Sequence, residues 1–538
     1  MFGISSGLII ALIIIVIFFI LSAILQKLGV LESIGFDFSI PLLIWKTQKG
    51  REYIDKVAKS RKKFWTYYGN LGLIVVAFCM VIIMVMIIWS AMLATHVPSE
   101  EAPTLDMVLA IPGVNPLIPL WYGIAALVIA MVVHEVSHGI LARLAEVKIK
   151  ALGVIFLVVP LGAFVEPDED EIESLNRVKR SRIYAAGPTT NVILAIVLVL
   201  IFSMAFMGSV EAKEEGVIIN EMSSHSPLYN MGVEWGEQIV NINGIEIDGL
   251  DDFHTIDLYP GKYADILIYD GSEEKSYKDI FTGMMITGIA DGYPADDAEL
   301  RRGDIVSSIG GQTIKNTEDF FDYMDDTNAG ETHHVIFYRK VEDEGVNGEY
   351  EENHTNITLV DKYEAYEEMY PTQNRDEYKG TGYSGVSVHY LGLTVWDSDF
   401  LPSLLARPFE GAESFNQYLQ SSMTYIALPF LGLSPIPENI ANLYEVNGPL
   451  SVLPTSSFWT ISNLLYWIFW LNLMVGLFNA LPAGPLDGGH IFKDAIRGFI
   501  DLFDLNEVNK ERITSGVTYT LGLAILFMLI WQLVGPRI

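Results

Sequence analysis

Two histidines four residues apart, with a glutamate directly after the first, form His134-Glu135-Val136-Ser137-His138 inside an apolar run that opens at Trp121. Residues at i and i+4 share a face of a helix, so both imidazoles reach one point, with Glu135 beside them. This spacing supplies two neutral imidazole ligands and a carboxylate base for metal-bound water, the pattern of zinc hydrolases. The thirteen residues before His134 carry no charge. If Trp121 marks the outer interface, a rise of about 1.5 Å per residue puts His134 roughly 20 Å deep and His138 roughly 26 Å deep. Both depths fall inside a hydrocarbon core about 30 Å thick. Such a pentapeptide also arises by chance in soluble proteins. Within a spanning helix, however, each ionisable group costs about 2.5–3.5 kcal/mol on insertion scales. Three of them in five residues argue against a merely structural role.

A second stretch with chemical promise lies late in the chain. Asn479 to Gly489 reads NALPAGPLDGG and contains one carboxylate, Asp487. Pro482 and Pro485 cannot continue a helix, while Gly484, Gly488 and Gly489 permit tight backbone. Unwound backbone at membrane depth is tolerated only where it lines a protein or water cavity. Its neighbour, His490, is expected to be a bystander and not a ligand.

The elements that must position these residues follow from hydropathy and charge. Apolar runs long enough to span cover Gly7–Leu25, Leu71–Leu93, 121–144, Ala185–Met207, about Phe458–Leu481 and Ser515–Leu533. The first lacks a basic leader and a small-residue cleavage site, which predicts an anchor and not a cleaved signal peptide. Loop 26–70 holds nine Lys/Arg and loop 96–120 none. The positive-inside rule therefore places 26–70, 145–184 and the basic stretch after Gly489 in the cytoplasm, with both termini outside. HEVSH and Asp487 then come to the same cytoplasmic-side depth of the plasma membrane. Ala151–Val165 (ALGVIFLVVPLGAFV) is too short to span and is interrupted by Gly153, Pro160 and Gly162. It fits a re-entrant hairpin lining a cavity, or equally a hydrophobic loop packed on the cytoplasmic face. The fourth span opens with Gly187-Pro188-Thr189-Thr190-Asn191.

Between the fourth and fifth spans the composition changes. Residues 208–403 carry 41 Asp/Glu against 12 Lys/Arg, nearly all of the net charge of −32. Such a block repels nucleic acid and anionic lipid, so nucleic-acid binding is excluded. The single cysteine, Cys79, rules out an internal disulfide framework and a thiolate zinc cluster. An internal repeat runs at an offset of 67 residues: Gly216 with Gly283, Pro227 with Pro294, Gly236 with Gly303, Gly244 with Gly311, and Phe253 with Phe320. Each copy reads strand, Pro-containing turn, short helix, strand, helix, hairpin. The cores SPLYNMGVEWGEQIVNING and YPADDAELRRGDIVSSIGG resemble a tandem pair of PDZ domains, which would bind an extended peptide or a free C-terminus by strand addition. The alternative is a pair of spacers that restrict access to the membrane site. GVSVHYLGLTV, Gly385–Val395, predicts a strand pair, and Leu404–Leu453 an amphipathic layer against the bilayer. Sequons at Asn353 and Asn356 suit an exported loop.

HEVSHG in one span and FNALPAGPLDGG in a late one, with GPTTN between them, together resemble the site-2 protease family of intramembrane zinc metalloproteases (M50 type). The resemblance covers most of the chain from Trp121 to Gly489. It implies zinc held by His134, His138 and Asp487, Glu135 as general base, and Asn191 and Asn479 as donors to the substrate backbone or oxyanion. For each asparagine the alternative is a helix–helix hydrogen bond. It also implies regulated intramembrane proteolysis of a single-span membrane protein. A helical substrate shields its own peptide bonds, so the scissile segment must unwind, and the hairpin around Gly153 and Val154 is expected to offer it a strand edge. The expected architecture is a multi-pass α-helical membrane protein of six spans with an inserted extracytoplasmic α+β region. Its parts are two N-terminal spans (1–95), a first protease half (121–207), PDZ-like repeats (214–282 and 283–361), a region 362–456 of acidic linker, strand pair and membrane-associated helix, and a second protease half (457–538). Competing readings are a PDZ-bearing scaffold with a vestigial metal site and, last, a transporter with broken helices.

Overall fold

The computed structural model describes residues 6–39, 42–96, 102–108, 111–157, 159–341, 349–369, 376–434 and 436–537. The chain divides into two compact units. One comprises 1–206, 409–435 and 456–538; the other comprises 207–408 and 436–455.

The first unit is helical and apolar. An apolar helix α1 (Ser6–Lys27) is followed by α2 (Lys62–Leu93), α3 (Leu120–Leu144), α4 (Arg177–Leu200), α5 (Thr455–Asn479), α6 (Asp487–Ile500) and α7 (Glu507–Val534). Five helices, all of these but α1 and α6, are long and apolar enough to cross a membrane, so the chain is an integral membrane protein.

Helix α2 begins nine residues before the expected Leu71 and packs by its small residues. Gly69 lies against Arg182 and Leu141, and Gly72 against Thr189 and Ala185, where a Cβ would come within 2.9 Å of the Thr189 hydroxyl. Buried Val76, Cys79, Ile83 and Ile87 continue that face, as small-residue packing between membrane helices requires.

Helix α5 carries Trp467 and Trp470 deeper than an interfacial belt would place them, and both are buried. Trp470 Nε1 donates to the Ile426 carbonyl (2.8 Å), and Tyr466 Oη to that of Tyr425 (3.0 Å). Both acceptors belong to the end of the amphipathic helix Phe415–Ala427, which starts in a Ser414/Gln417 capping box.

A four-stranded sheet accompanies these helices: β1 (Phe36–Ser39), β2 (Leu42–Thr47), β3 (Ile149–Leu157) and β4 (Val159–Pro167), in that order. The apolar segment expected at 151–165 is thus a β3–β4 hairpin. Two strands from the basic loop 26–70, absent from the sequence reading, extend it. One expectation is corrected here. Gly153 faces Lys46 on one side and Phe164 on the other, and Val154 faces Trp45 and Ala163. Both edges of β3 are taken, so neither residue offers a free strand edge. A Cβ at Gly153 would lie 2.4 Å from the Trp45 carbonyl and the Phe164 ring, so glycine there permits close strand approach.

The second unit holds two sheets that follow the 67-residue repeat. The first has β5 (Val217–Met222), β6 (Gln238–Ile242), β7 (Tyr263–Tyr269) and β8 (Glu274–Phe281). The second has β9 (Met284–Ile289), β10 (Ile305–Ile309), β11 (Thr332–Lys340) and β12 (Tyr350–Thr358). The expected strand pair at 385–395 is present as β13 (Val386–Tyr390) and β14 (Leu393–Asp397), but the two do not pair with each other. β13 joins β9, with Met284 opposite Tyr390, and β14 joins β5, with Leu393 opposite Met222. Each repeat is therefore closed by a strand lying beyond the second repeat. The single region expected at 362–456 is divided: 409–435 belongs to the helical unit and its flanks to the sheet unit.

Candidate metal and peptidase site

Three elements distant in sequence meet around His134, which lies ten residues before the end of α3 at Leu144. Its Nε2 lies 3.2 Å from Asp487 Oδ2, and His138 Nε2 lies 3.3 Å from the same oxygen. The imidazole centroids are 4.8 Å apart. Among the described residues this trio is the one group of His, Cys, Asp or Glu whose ligand atoms all lie within 4.8 Å of one another. Asp487 opens α6 directly after the Pro/Gly stretch, so the expected meeting of HEVSH with the late motif is present.

The donor set fits a zinc ion. Two ligand atoms each about 2.0–2.1 Å from one tetrahedral zinc lie about 3.3 Å apart, as the two imidazole–carboxylate distances do. Helix α4 clears the space. An added Cβ at Gly187 would sit 2.4 Å from His138 Nε2 and 2.5 Å from His134 Nε2, so only glycine leaves these nitrogens accessible. The same helix sets one ring's tautomer: His138 Nδ1–H donates to the Ile183 carbonyl at 2.7 Å, leaving Nε2 with its lone pair free. Pro188, inside α4, supplies no N–H to the Tyr184 carbonyl. His134 Nδ1 is buried and has no partner among the described residues.

Glu135 points to the sheet. One carboxylate oxygen, Oε2, accepts the Val165 N–H of β4 at 2.9 Å. The Gly139 position, one turn on, is pressed against Val165 and Ile54, which seats β4 on α3.

Among the described residues, the hydrogen bonds of Asn191 and Asn479 go to helix carbonyls and not to the trio. Asn191 is fully buried and its amide donates to the Ala130 carbonyl of α3 at 3.3 Å. Asn479 bonds back to Val475 within α5 at 3.0 Å. His490 stacks on Tyr184, with centroids 4.4 Å apart and planes 12° apart. Gly187, the Ile183 carbonyl and Val165 were not singled out in the sequence. The GPTTN motif alone pointed near them, since a glycine before proline inside a spanning helix signals close approach.

A HExxH pair in a spanning helix, completed by an aspartate from a separate helix, defines a membrane metallopeptidase. A model of Peptidase family M50 matches residues 122–529, well over half of the chain, and the chain belongs to that family. It is 30% identical over 278 residues to an uncharacterized protein of Methanocaldococcus jannaschii, covering 50% of this chain and 70% of that one. It is 22% identical over 441 residues to a Clostridium acetobutylicum protein provisionally named a zinc metalloprotease (76% of this chain, 93% of the relative). It is 21% identical over 442 residues to Protease RseP of Yersinia pestis (69% and 89%). The protein is an intramembrane zinc metalloprotease of the site-2 protease type.

Proposed function

We propose that His134, His138 and Asp487 hold the zinc ion and that Glu135 is the general base for peptide-bond hydrolysis within a membrane-anchored substrate. The convergence of Asp487 Oδ2 on both Nε2 atoms beneath Gly187 carries this reading. A bound zinc ion lowers the pKa of water and polarises the scissile carbonyl. Glu135 takes the proton of the attacking water and returns it to the leaving amine. Its bond from Val165 N–H fixes the carboxylate plane and leaves the other oxygen for this transfer. Asn191 and Asn479 remain candidates for the substrate backbone; each has its amide nitrogen committed to a helix carbonyl at rest, which substrate would have to displace.

Substrate pairing belongs to β4. It is an edge strand, and Val165 turns its N–H away from β3 and towards Glu135. By the alternation of an antiparallel strand, Ala163 presents its N–H and C=O on the same edge. A scissile segment released from its own helix would add there as a strand, alongside the general base. Proline is tolerated on the open edge of a sheet, so Ala163→Pro should keep zinc bound and lower cleavage by about 100-fold, the scale of a misplaced substrate. Unchanged cleavage would remove β4 from the reading.

We read α1 as a sixth span, both termini as extracytoplasmic and the site as lying near the cytoplasmic face, on the Lys/Arg asymmetry of the loops. The two repeats act as PDZ-like domains outside the membrane, binding an extended peptide or C-terminus, or excluding substrates that still carry a bulky ectodomain. The substrate is a single-span protein in regulated intramembrane proteolysis. The decisive experiment uses purified protein and a reporter transmembrane substrate, comparing wild type with Glu135→Gln, with and without chelator. Cleavage confined to the metal-loaded wild type supports the peptidase reading. Equal cleavage in both proteins, or none in any sample, supports a scaffold.

A further inference from the structure

Three rungs join α6 to the start of α4. Tyr184 stacks on His490. Arg180 donates to Asp494 through Nε (3.0 Å to Oδ2) and through Nη2, while Ser181 Oγ adds a third bond (3.1 Å). Arg177 Nη2 meets Asp501 Oδ2 at 2.8 Å. Acidic residues recur every seven positions, Asp487, Asp494 and, at the C-cap of α6, Asp501, so they share one stripe. The first of them is the proposed zinc ligand. Of the two paired carboxylates, Asp494 is the buried one, 8% exposed, and it receives a two-pronged guanidinium with a fixed fork geometry.

The same turn of α4 that grips Asp494 also holds the other side of the site, because the Ile183 carbonyl accepts His138 Nδ1–H. Arg180, Ser181 and Ile183 thus fasten, within four residues, both the carrier of the histidines and the carrier of the aspartate. We propose that Arg180 and Asp494 are positioning residues for the metal centre: the pair sets the tilt of α6 and with it the place of Asp487. Asp494 lies about 10 Å along the helix from Asp487. A tilt of about 5° about that point moves Asp487 by about 1 Å, several times the roughly 0.2 Å tolerance of a metal–ligand distance. The backbone before Asp487 is a non-helical Pro/Gly stretch, so α6 is not held in line by a continuous helix.

This inference rests on the ligand assignment above, so the experiment separates the two. Wild-type protein should retain one zinc ion against a competing chromophoric chelator, and His138→Ala should not; any other result sinks the ligand assignment and the clamp with it, whereas the clamp alone is decided by the next variant. Replacing both partners by apolar residues of similar size, Arg180→Met with Asp494→Leu, removes the directed bonds without leaving a buried unpaired charge. In that double variant zinc affinity should fall about 10- to 100-fold, the usual effect of losing an outer partner of a metal ligand. kcat at saturating zinc should fall while KM for the reporter substrate stays unchanged. A purely structural pair would instead lower the unfolding temperature of the zinc-free protein and leave the affinity of the folded fraction alone. Affinity within twofold of wild type overturns the proposal. Should the double variant fail to fold, Asp494→Glu, which keeps the pair but lengthens it, gives the same readout: a weakened affinity supports the clamp and an unchanged one overturns it.

Discussion

The two carriers of the metal ligands are built in opposite ways. Helix α3 is a continuous spanning helix whose His134 and His138 are spaced by helix geometry alone, so nothing outside the helix is needed to bring their rings to one face. Asp487 instead sits at the first residue of a short helix, after a stretch that two prolines keep from being helical. Its place depends on what the rest of α6 is tied to, namely Tyr184, Arg180, Ser181 and Arg177. One carrier is positioned by secondary structure and the other by tertiary contacts. A site built this way tolerates changes around the histidines better than changes around the aspartate's helix.

This contrast can be broken by substitution. The largest effect is expected from the ligands themselves: His138→Ala or Asp487→Ala should release zinc and abolish cleavage, read as metal content and product formation. Glu135→Gln should leave zinc content at one per chain and lower kcat by about 10²- to 10⁴-fold; loss of metal in this variant would move Glu135 from base to ligand. Gly187→Ala, which changes neither carrier, should crowd both Nε2 atoms and weaken zinc binding by about tenfold or more, on the scale of other changes beside metal ligands. A full complement of zinc in that variant would mean that α4 yields at this point. The smallest effect lies away from the membrane. The Lys275 ammonium beside Asp270, helped by the N–H groups of Glu273 and Ser272, holds this carboxyl down at about 2. A folded-state value below the unfolded one of about 3.9 means its contribution is complete above that pH. It is lost as pH falls towards 2. Asp270→Asn should therefore flatten the acid limb of the sheet unit's unfolding curve slightly and leave cleavage at neutral pH unchanged.

Much of the site was legible because its chemistry is local. HEVSH declares its own geometry, and Pro/Gly around Asp487 marks unwound backbone at membrane depth. What sequence could not show was pairing between distant segments. Gly153 and Val154 sit within an apolar hairpin, yet which strand of the hairpin is open depends on β1 and β2, contributed by a basic loop over a hundred residues earlier. The 67-residue repeat exposed both β-rich modules but not the strands that close them, since β13 and β14 lie beyond the second copy and repeat at an offset of only seven. Trp470 of α5 looked misplaced until Ile426 supplied a buried carbonyl. Arg180 and Asp494, 314 positions apart, left no local pattern beyond the seven-residue spacing of acids on α6.

The ribbon from Val386 to Asp397 has a further consequence. Leu391 and Gly392, both with positive φ (56° and 71°), are all that separates the strand finishing one sheet from the strand finishing the other. Neither module is a detachable cassette: a truncation after Thr358 would strip an edge from both, and the buried residues of the two sheets form one continuous core. Evolutionary exchange of this region would have to move 217–397 whole.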